Sequence, residues 1–137
     1  AGRRLNDGMG KYIASESVKR MLKNDLKIRG AKALILGITF KENCPDIRNS
    51  KVIDVHNELV SYGLNVDVFD PWANAEEVKD EFSIELIQEL KINYSLIVLA
   101  VSHGEFSEMN VQNHLIDNGV VYDVKSFLPK DMVSSRL

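Results

Sequence analysis

Apolar and polar residues follow two different periods along this chain. In residues 5–26 the apolar positions recur at steps of three and four, which is the period of an amphipathic helix. Beyond residue 30, short apolar runs alternate with longer mixed segments, and each run has the length of a buried strand. These runs predict four strands, at 32–38, 65–69, 95–101 and 120–124. The pattern therefore predicts one long N-terminal helix followed by a sheet.

Helical patterns lie between the predicted strands. They cover 52–60, 75–79 and 105–118, and Gly63 and Gly119 follow the first and the last of them as C-terminal glycines would. The segment 84–90 is ambiguous between a short helix and a sheet edge. Strands joined by helices imply right-handed crossovers and a parallel sheet, with the most apolar run, 95–101, at its centre. We therefore expect an α/β fold with a Rossmann-like, doubly wound parallel sheet of about four to six strands.

The N-terminal helix carries a long apolar stripe. Its members are Leu5, Met9, Tyr12, Ile13, Val18, Met21, Leu22 and Leu26. Such a stripe can simply cap its own domain, but its length favours packing against another domain or subunit. The chain also begins within this pattern, so we expect it to be the C-terminal part of a longer protein.

Composition argues against several classes of protein. The 137 residues suit one domain of ordinary size, with 45% hydrophobic and 27% charged residues. A net charge of −3 argues against general nucleic-acid binding, which needs a basic surface. The longest apolar stretch, residues 96–101, is too short to span a bilayer, and the first residues do not resemble a signal peptide. We expect a cytoplasmic protein without nucleic-acid or membrane partners.

Residue types that form thiol or metal sites are sparse. Cys44 is the only cysteine of the chain, which excludes an intrachain disulfide. Glu42 and Asp46 flank it, and neighbouring carboxylates disfavour the thiolate that a nucleophilic cysteine needs. His56 and His114 have no acidic partner at metal-binding spacing. We therefore predict neither a catalytic role for Cys44 nor a metal site.

The polar segment 40–50 joins the first predicted strand to the helix that follows. It lies at the carboxyl edge of the predicted sheet, where doubly wound folds bind ligands. It contains Lys41 and Arg48, and Ser50 is placed to cap a helix whose N-terminus favours an anion. A dinucleotide turn needs three spaced glycines and only Gly37 is present, so a phosphate would be met by side-chain cations instead. The alternative is a long solvated connection.

Other polar residues lie at the same predicted edge. Lys125 directly follows the fourth strand and adds a second cation beside Lys41, although a lysine there is often only solvated. Asp70 ends the second strand, where dinucleotide folds place a ribose carboxylate, but Asp70-Pro71 is more typical of a turn. His103 follows the third strand and could bind a ligand, yet a histidine near a helix start is more commonly a local cap.

Four segments carry a resemblance to a known family. They are residues 4–9, residues 36–50 with the core Phe-Lys-x-x-x-x-Asp-x-Arg-x-Ser, residues 69–72, and residues 122–125. In this order and spacing they resemble the C-terminal third of nucleotide-sugar 6-dehydrogenases, the UDP-glucose/GDP-mannose dehydrogenase family. The chain is most similar to the bacterial UDP-N-acetylhexosamine 6-dehydrogenases of surface polysaccharide biosynthesis.

The resemblance implies a domain organisation and an activity. Residues 1–29 would be the end of a long interdomain and dimerisation helix, and residues 30–137 the domain that binds the UDP half of a UDP-sugar. In the family, an N-terminal Rossmann domain binds NAD and the long helix forms a homodimer. The implied reaction oxidises the sugar C6 alcohol to a uronic acid by two hydride transfers, through a thiohemiacetal on a cysteine of a Gly-Gly-x-Cys-type motif.

The resemblance also assigns four site residues by position. Phe40 and Lys41 match a pair that contacts the UDP-sugar, and Lys125 matches a basic residue at the nucleotide end. Arg48 matches an arginine that reaches NAD across the cleft between domains. The catalytic-cysteine motif and the glycine fingerprint for NAD are absent from this chain. The chain alone is therefore expected to be inactive.

Two other classes of protein remain as alternatives. One is a stand-alone nucleotide-binding module for NAD or coenzyme A, against which the missing glycine motif argues. The other is a pure dimerisation domain, in which the N-terminal helix carries the whole function. A binding measurement with UDP would distinguish these hypotheses, since only the dehydrogenase domain is expected to bind it.

Overall fold

The computed structural model describes residues 5–137 of the chain. The first residue of the segment 4–9, Arg4, lies outside the described residues, as does the start of the expected unit 1–29. The helices and strands, in chain order, are α1 (Met9–Lys23), β1 (Lys32–Leu36), α2 (Val52–Ser61), β2 (Asn65–Phe69), α3 (Ala75–Phe82), β3 (Tyr94–Leu99), β4 (Leu115–Asp123) and β5 (Ser135–Arg136). Short 3₁₀ turns cover Gly104–Glu108, Val111–His114 and Lys130–Met132.

The five strands form one parallel sheet in the order β2-β1-β3-β4-β5. Every residue of β3 is buried, as expected for a central strand. Leu36 is aligned with Phe69 on one side and with Leu99 on the other, and Leu99 is aligned with Asp123. The carboxyl ends of four strands therefore lie at one level, at one edge of the sheet. The predicted α/β fold with a parallel sheet is confirmed.

Side chains from alternate strand positions enter two cores, one on each face of the sheet. In β1, Ala33 and Ile35 pack on the face covered by α1 and α2, whereas Leu34 and Leu36 pack on the other face. This second core is closed by the 3₁₀ turns and by the segment around Leu128 rather than by a long helix. Both faces are covered, so the strands are apolar at successive positions and not only at alternate ones.

The apolar stripe of α1 is divided between the core and the surface. Ile13 and Met21 are fully buried against the sheet and α2, while Tyr12 is 53% exposed and Leu22 is 57% exposed. The helix is shorter than the pattern of residues 5–26, because it begins after Gly8, whose φ of +88° is left-handed. Most of the stripe thus belongs to the core of this domain.

At the crossing of α1 and α2 the two backbones come very close together. A Cβ atom added at Gly10 would lie 2.5 Å from the Cβ atom of Asp54, so no larger residue fits there without moving a helix. Gly10 therefore sets the distance between the two helices.

The prediction of a helix at 105–118 is wrong. Two short 3₁₀ turns occupy its first part, and β4 begins at Leu115, opposite Tyr94 of β3. Between the turns, Asn110 starts the second one by accepting a hydrogen bond from the N–H of Gln112 at 3.1 Å. Asparagine side chains compete with helical hydrogen bonds in this way, and pairing with β3 stabilises the strand. Gly119 consequently lies within β4 and does not end a helix.

The ambiguous segment 84–90 forms neither a helix nor a strand. The N–H of Ile87 donates to the carbonyl oxygen of Val68 at 3.0 Å, so the segment runs along the outer side of β2. It covers an edge strand that would otherwise expose unpaired backbone groups. No helix among residues 5–137 has the length and apolar character needed to cross a membrane.

Candidate functional site

The turn after β1 is not built to hold a pyrophosphate. Gly37 has a φ of +94°, and a Cβ atom there would lie 2.5 Å from the Cβ atom of Val101. Its N–H donates to the carbonyl oxygen of Phe69 at 2.9 Å. This glycine therefore permits close packing against the end of β3 and is not available as a phosphate-binding turn.

The segment 40–50 is a compact loop that is fastened at both ends. The N–H of Phe40 donates to the carbonyl oxygen of Asp46 at 2.7 Å, and the buried side chain of Ile47 anchors the loop to the core. The Ser50 hydroxyl donates to the carbonyl oxygen of Ile38 at 2.7 Å and accepts from the N–H of Val52 at 3.3 Å. Ser50 thus bonds the first helical N–H, although it lies one residue before the N-cap position of α2.

Phe40 and Lys125 line the same narrow cavity at the carboxyl edge of the sheet. Its other lining residues are Leu5, Thr39, Asn49, Ser50, Lys51, Val52, Ala100 and Val101. About 10 Å³ of space is open within it, which is room for roughly one water molecule. The shared edge brings these two residues together from the ends of β1 and β4. Lys41 follows Phe40 directly and has an exposed side chain.

A buried carboxylate, that of Asp123, fixes the loop that carries Lys125. Asp123 is fully buried and accepts from the N–H groups of Lys125 at 3.0 Å, Phe127 at 2.7 Å and Leu128 at 2.7 Å. Asp123 was not among the site residues predicted from the sequence. Its signal was available, since an aspartate at a strand end commonly accepts hydrogen bonds from the following turn.

Arg48 lies in a different groove from Phe40 and Lys125. It pairs with Asp46 through Nε–Oδ1 at 3.0 Å and Nη2–Oδ2 at 2.9 Å, and these hydrogen bonds lower the pKa of Asp46 to about 2. The Arg48 side chain is 85% exposed. The groove has a volume of about 660 Å³ and is otherwise lined by Pro45, Ile47, Asn74, Glu77, Asp80 and Glu81. The predicted cofactor-binding residue therefore points to open solvent on the acidic side of the loop.

Asp70 forms a turn and also joins neighbouring loops. Its Oδ1 accepts from the N–H groups of Trp72 at 2.7 Å and Ala73 at 3.0 Å, which agrees with the turn interpretation. Its Oδ2 accepts from the N–H of Ile38 at 2.7 Å and lies 3.0 Å from Nε2 of His103. Burial acts to raise the pKa of Asp70, but the hydrogen bonds from His103 and Ile38 outweigh it, and the net pKa is lowered. Asp70 is thus an ionised carboxylate that is fully engaged by protein donors.

The interpretation of His103 as a local cap is wrong. Its side chain makes no capping bond to the 3₁₀ turn that follows and is completely buried beneath the loop. Its Nδ1 accepts from the N–H of Asn43 at 2.9 Å, and its Nε2 lies 3.1 Å from the Thr39 hydroxyl. A donor at Nδ1 and acceptors at Nε2, all on neighbouring loops, hold the ring in this buried position, and an isolated histidine in a sequence gives no sign of them.

Asn43 is a further residue that the sequence analysis missed. It has a left-handed φ of +54°, and its Oδ1 accepts from the N–H of Gly104 at 2.8 Å. Asparagine tolerates this backbone conformation better than most residues.

Among residues 5–137 no group of three or more histidine, cysteine, aspartate or glutamate side chains is arranged to hold a metal ion.

Comparison with known proteins identifies relatives over the whole length of the chain. The sequence model for the UDP-binding domain of the UDP-glucose/GDP-mannose dehydrogenase family matches residues 34–130. A UDP-N-acetyl-D-glucosamine 6-dehydrogenase of Salmonella typhi is 46% identical, and one of Pseudomonas aeruginosa is 47% identical, each over 100% of this chain and 33% of the relative. The chain thus spans about a third of the length of these curated relatives. The resemblance seen in the sequence is confirmed.

Solved structures show the same fold. A UDP-N-acetyl-mannosamine dehydrogenase of Staphylococcus aureus, Cap5O, superimposes with a TM-score of 0.71 at 21% identity. A UDP-D-ManNAc dehydrogenase of Pyrococcus horikoshii superimposes with a TM-score of 0.76 at 18% identity. Each match covers 96% of this chain and 31% of the solved chain. At these identities the likeness concerns the arrangement of helices and strands.

Proposed function

Because this chain belongs to the UDP-glucose/GDP-mannose dehydrogenase family and matches its UDP-binding domain, we propose that it binds the nucleotide half of a UDP-sugar. One observation carries the proposal: Phe40 and Lys125, which belong to two separate segments of the resemblance, 36–50 and 122–125, line one cavity at the carboxyl edge of the sheet. This edge is where parallel α/β sheets bind their ligands.

The diphosphate is the part of the ligand that these side chains fit best. Lys41 and Lys125 supply two cations, and charge-assisted hydrogen bonds to phosphate oxygens are stronger than neutral ones. Asp123 fixes the backbone on which Lys125 stands. Phe40 offers an aromatic surface beside them. The cavity has space for about one water molecule, so side chains at its mouth must move when a nucleotide enters.

We propose that the longer enzyme is an NAD-dependent 6-dehydrogenase, which oxidises the C6 alcohol of a UDP-sugar to a uronic acid for polysaccharide biosynthesis. The curated relatives named UDP-N-acetyl-D-glucosamine 6-dehydrogenases support this. The residues of this chain do not by themselves fit NAD, because Gly37 is packed against Val101 and the Asp70 oxygens are engaged by protein donors. Only Arg48, on the exposed side of the loop, is proposed to reach a cofactor held by another domain.

Residues 1–29 and 30–137 are proposed to act as the end of a dimerisation helix and the UDP-sugar-binding unit. The exposed side chains of Tyr12 and Leu22 on α1 support a partner surface, since each leaves more than half of its area in water. In a homodimer these two residues are expected to become buried. Light scattering at high concentration tests the assembly. If both this chain and the full-length protein are purely monomeric, the proposed dimer is contradicted.

A calorimetric titration of the 137-residue chain with UDP, NAD and coenzyme A tests the proposed function. UDP is expected to bind, and at a hundred times its Kd it should stabilise the chain by about 2.7 kcal/mol in a thermal-shift series. Binding of NAD or coenzyme A without UDP would favour a stand-alone module instead. If none of the three binds, the dimerisation-domain alternative stands. The chain alone is expected to produce no NADH from NAD and UDP-N-acetylhexosamines.

A further inference from the structure

We infer that His103 is a positioning residue, whose neutral imidazole holds the loop 40–50 in the conformation that presents Phe40 and Lys41 to the nucleotide. The inference rests on the proposed function, since it concerns the same site. His103 itself is completely buried and is not among the residues that line that cavity, so it acts through the loop and not on the ligand.

The hydrogen bonds around the ring define its tautomer. A backbone N–H can only donate, so Nδ1, at 2.9 Å from the nitrogen of Asn43, must be an unprotonated acceptor. The proton of the neutral ring is then on Nε2, where it points to the carboxylate of Asp70 at 3.0 Å. Asp70 therefore orients the ring, and the ring in turn fixes Asn43.

Thr39 provides a second connection between the ring and the loop. Its hydroxyl donates to the carbonyl oxygen of Lys41 at 2.9 Å, so toward Nε2 of His103, at 3.1 Å, it can only accept. The Nε2 proton is thus shared by Asp70 and Thr39. The backbone of Lys41 is held by the same network that holds Asn43.

The connection at Asn43 is reciprocal. Its N–H donates to Nδ1 of His103, and its side-chain oxygen accepts from the N–H of Gly104 at 2.8 Å. These two bonds hold Asn43 at its left-handed φ of +54°, a conformation that costs free energy unless its surroundings impose it. The loop therefore changes direction at a residue whose geometry His103 and Gly104 determine.

Aromatic side chains keep the imidazole in place. The indole of Trp72 stacks on it with ring centres 6.1 Å apart, and the ring of Phe106 lies 5.6 Å away at a tilted angle. The indole N–H donates to Oε1 of Glu105 at 2.9 Å, which fixes the Trp72 ring in turn. The imidazole consequently has one orientation, with Nδ1 toward the loop.

Two substitutions separate the hydrogen bond from mere filling of space. In His103→Asn the side-chain oxygen can occupy the position of Nδ1 and still accept from the Asn43 N–H. In His103→Gln the amide extends to the position of Nε2, and no acceptor remains for that N–H. We expect His103→Gln to weaken UDP binding about tenfold, which corresponds to about 1.4 kcal/mol and lies within the range for one hydrogen bond. His103→Asn should weaken it by less than about threefold. His56→Gln, on the surface of α2, is the matched control and should leave UDP affinity unchanged.

Nuclear magnetic resonance on the ¹⁵N-labelled chain tests the loop without any ligand. Long-range correlations of the His103 ring should show a protonated Nε2 and an unprotonated Nδ1. The Asn43 amide should exchange slowly in the wild-type chain and in His103→Asn, and rapidly in His103→Gln. A ring protonated on Nδ1 would overturn the inference even if both variants failed to fold.

The outcomes for the site and for the inference are distinguishable. If the wild-type chain binds UDP and His103→Gln binds it equally well with Asn43 still protected, the positioning role is refuted while the proposed function stands. If the wild-type chain binds no UDP, the proposed function falls together with the affinity claim. The exchange of Asn43 then still decides whether His103 holds the loop.

Discussion

The carboxyl ends of β2 and β4 each carry a buried aspartate, but the two carboxylates differ in how many segments of the chain donate hydrogen bonds to them. The Asp123 carboxylate accepts hydrogen bonds from the turn that follows it, up to Leu128. Asp70 accepts from its own turn, from the start of the loop after β1 at Ile38, and from His103 after β3. One carboxylate shapes a single turn, whereas the other joins three.

This difference separates two ways of preparing a ligand-binding edge. At β4 the turn that displays Lys125 is self-sufficient, because its backbone donors end on one local acceptor. At β1 the loop that displays Lys41 depends on residues 29 and 62 positions away along the chain, Asp70 and His103. Long-range anchors of this kind are ordered only when the whole sheet is folded.

The largest expected effect comes from removing the two carboxylates. Asp70→Ala should lower the free energy of unfolding by about 4 kcal/mol and Asp123→Ala by about 2 to 3 kcal/mol, because each leaves buried N–H donors without an acceptor. Urea denaturation followed by circular dichroism measures both values. Asp80→Ala, at an exposed position of α3, is the control and should change stability by less than about 0.5 kcal/mol. Equal losses for Asp70 and Asp123 would contradict the wider role of Asp70.

Removing the two cations should affect binding rather than stability. Lys41→Ala and Lys125→Ala are each expected to weaken UDP binding by about 1.5 to 3 kcal/mol, the value of a charge-assisted hydrogen bond. Calorimetry with UDP gives the affinities, and Lys27→Ala, on the exposed connection after α1, is the matched control. Unchanged affinity in Lys41→Ala would remove that residue from the site.

A smaller effect is expected from acid. The pKa of Asp70 is lowered in the folded chain relative to its ordinary value of 3.8, so the unfolded chain binds the proton more readily. Its contribution to stability is complete above that ordinary pKa and is lost as the pH falls through the lower, folded pKa. Denaturation at a series of pH values should show this loss in the wild-type chain and a flatter curve in Asp70→Asn. An identical curve in both would mean that other carboxylates dominate acid unfolding.

The smallest effect is expected at Arg48. Its ion pair with Asp46 is exposed, and exposed pairs contribute little to stability. Arg48→Ala should therefore leave the free energy of unfolding nearly unchanged and leave UDP affinity unaltered in this chain. Loss of UDP binding in Arg48→Ala would place the nucleotide in the acidic groove instead of beside Phe40.

The sequence predicted the sheet well because its strands are apolar runs of the right length, separated by clear breaks. The strand at 65–69 and the end of the preceding helix before Gly63 were predicted correctly in this way. The prediction of a helix at 105–118 was wrong because apolar spacing indicates which residues are buried but not which element they pair with. Here the end of the segment pairs with β3. Periodicity alone could not show that Leu115 pairs with Tyr94.

The candidate site was predictable where it depended on strand ends. Parallel strands place their following residues at one edge, so Phe40 and Lys125 could be expected together, and the structure has them lining one cavity. Their role in binding UDP stays a prediction. Asp70, His103 and Asn43 could not be connected from the sequence, because their contacts join positions up to 64 residues apart through single hydrogen bonds.

The contact at Gly10 gives α1 a mechanical relation to the loop. The backbones of α1 and α2 meet there with no room for a Cβ atom, so a rotation of α1 must displace α2. The first residue of α2, Val52, lies two positions after Ser50, and Ser50 lines the cavity of Phe40 and Lys125. A partner that tilted α1 would thereby alter nucleotide affinity, and by thermodynamic linkage the nucleotide would alter the affinity for that partner by the same factor.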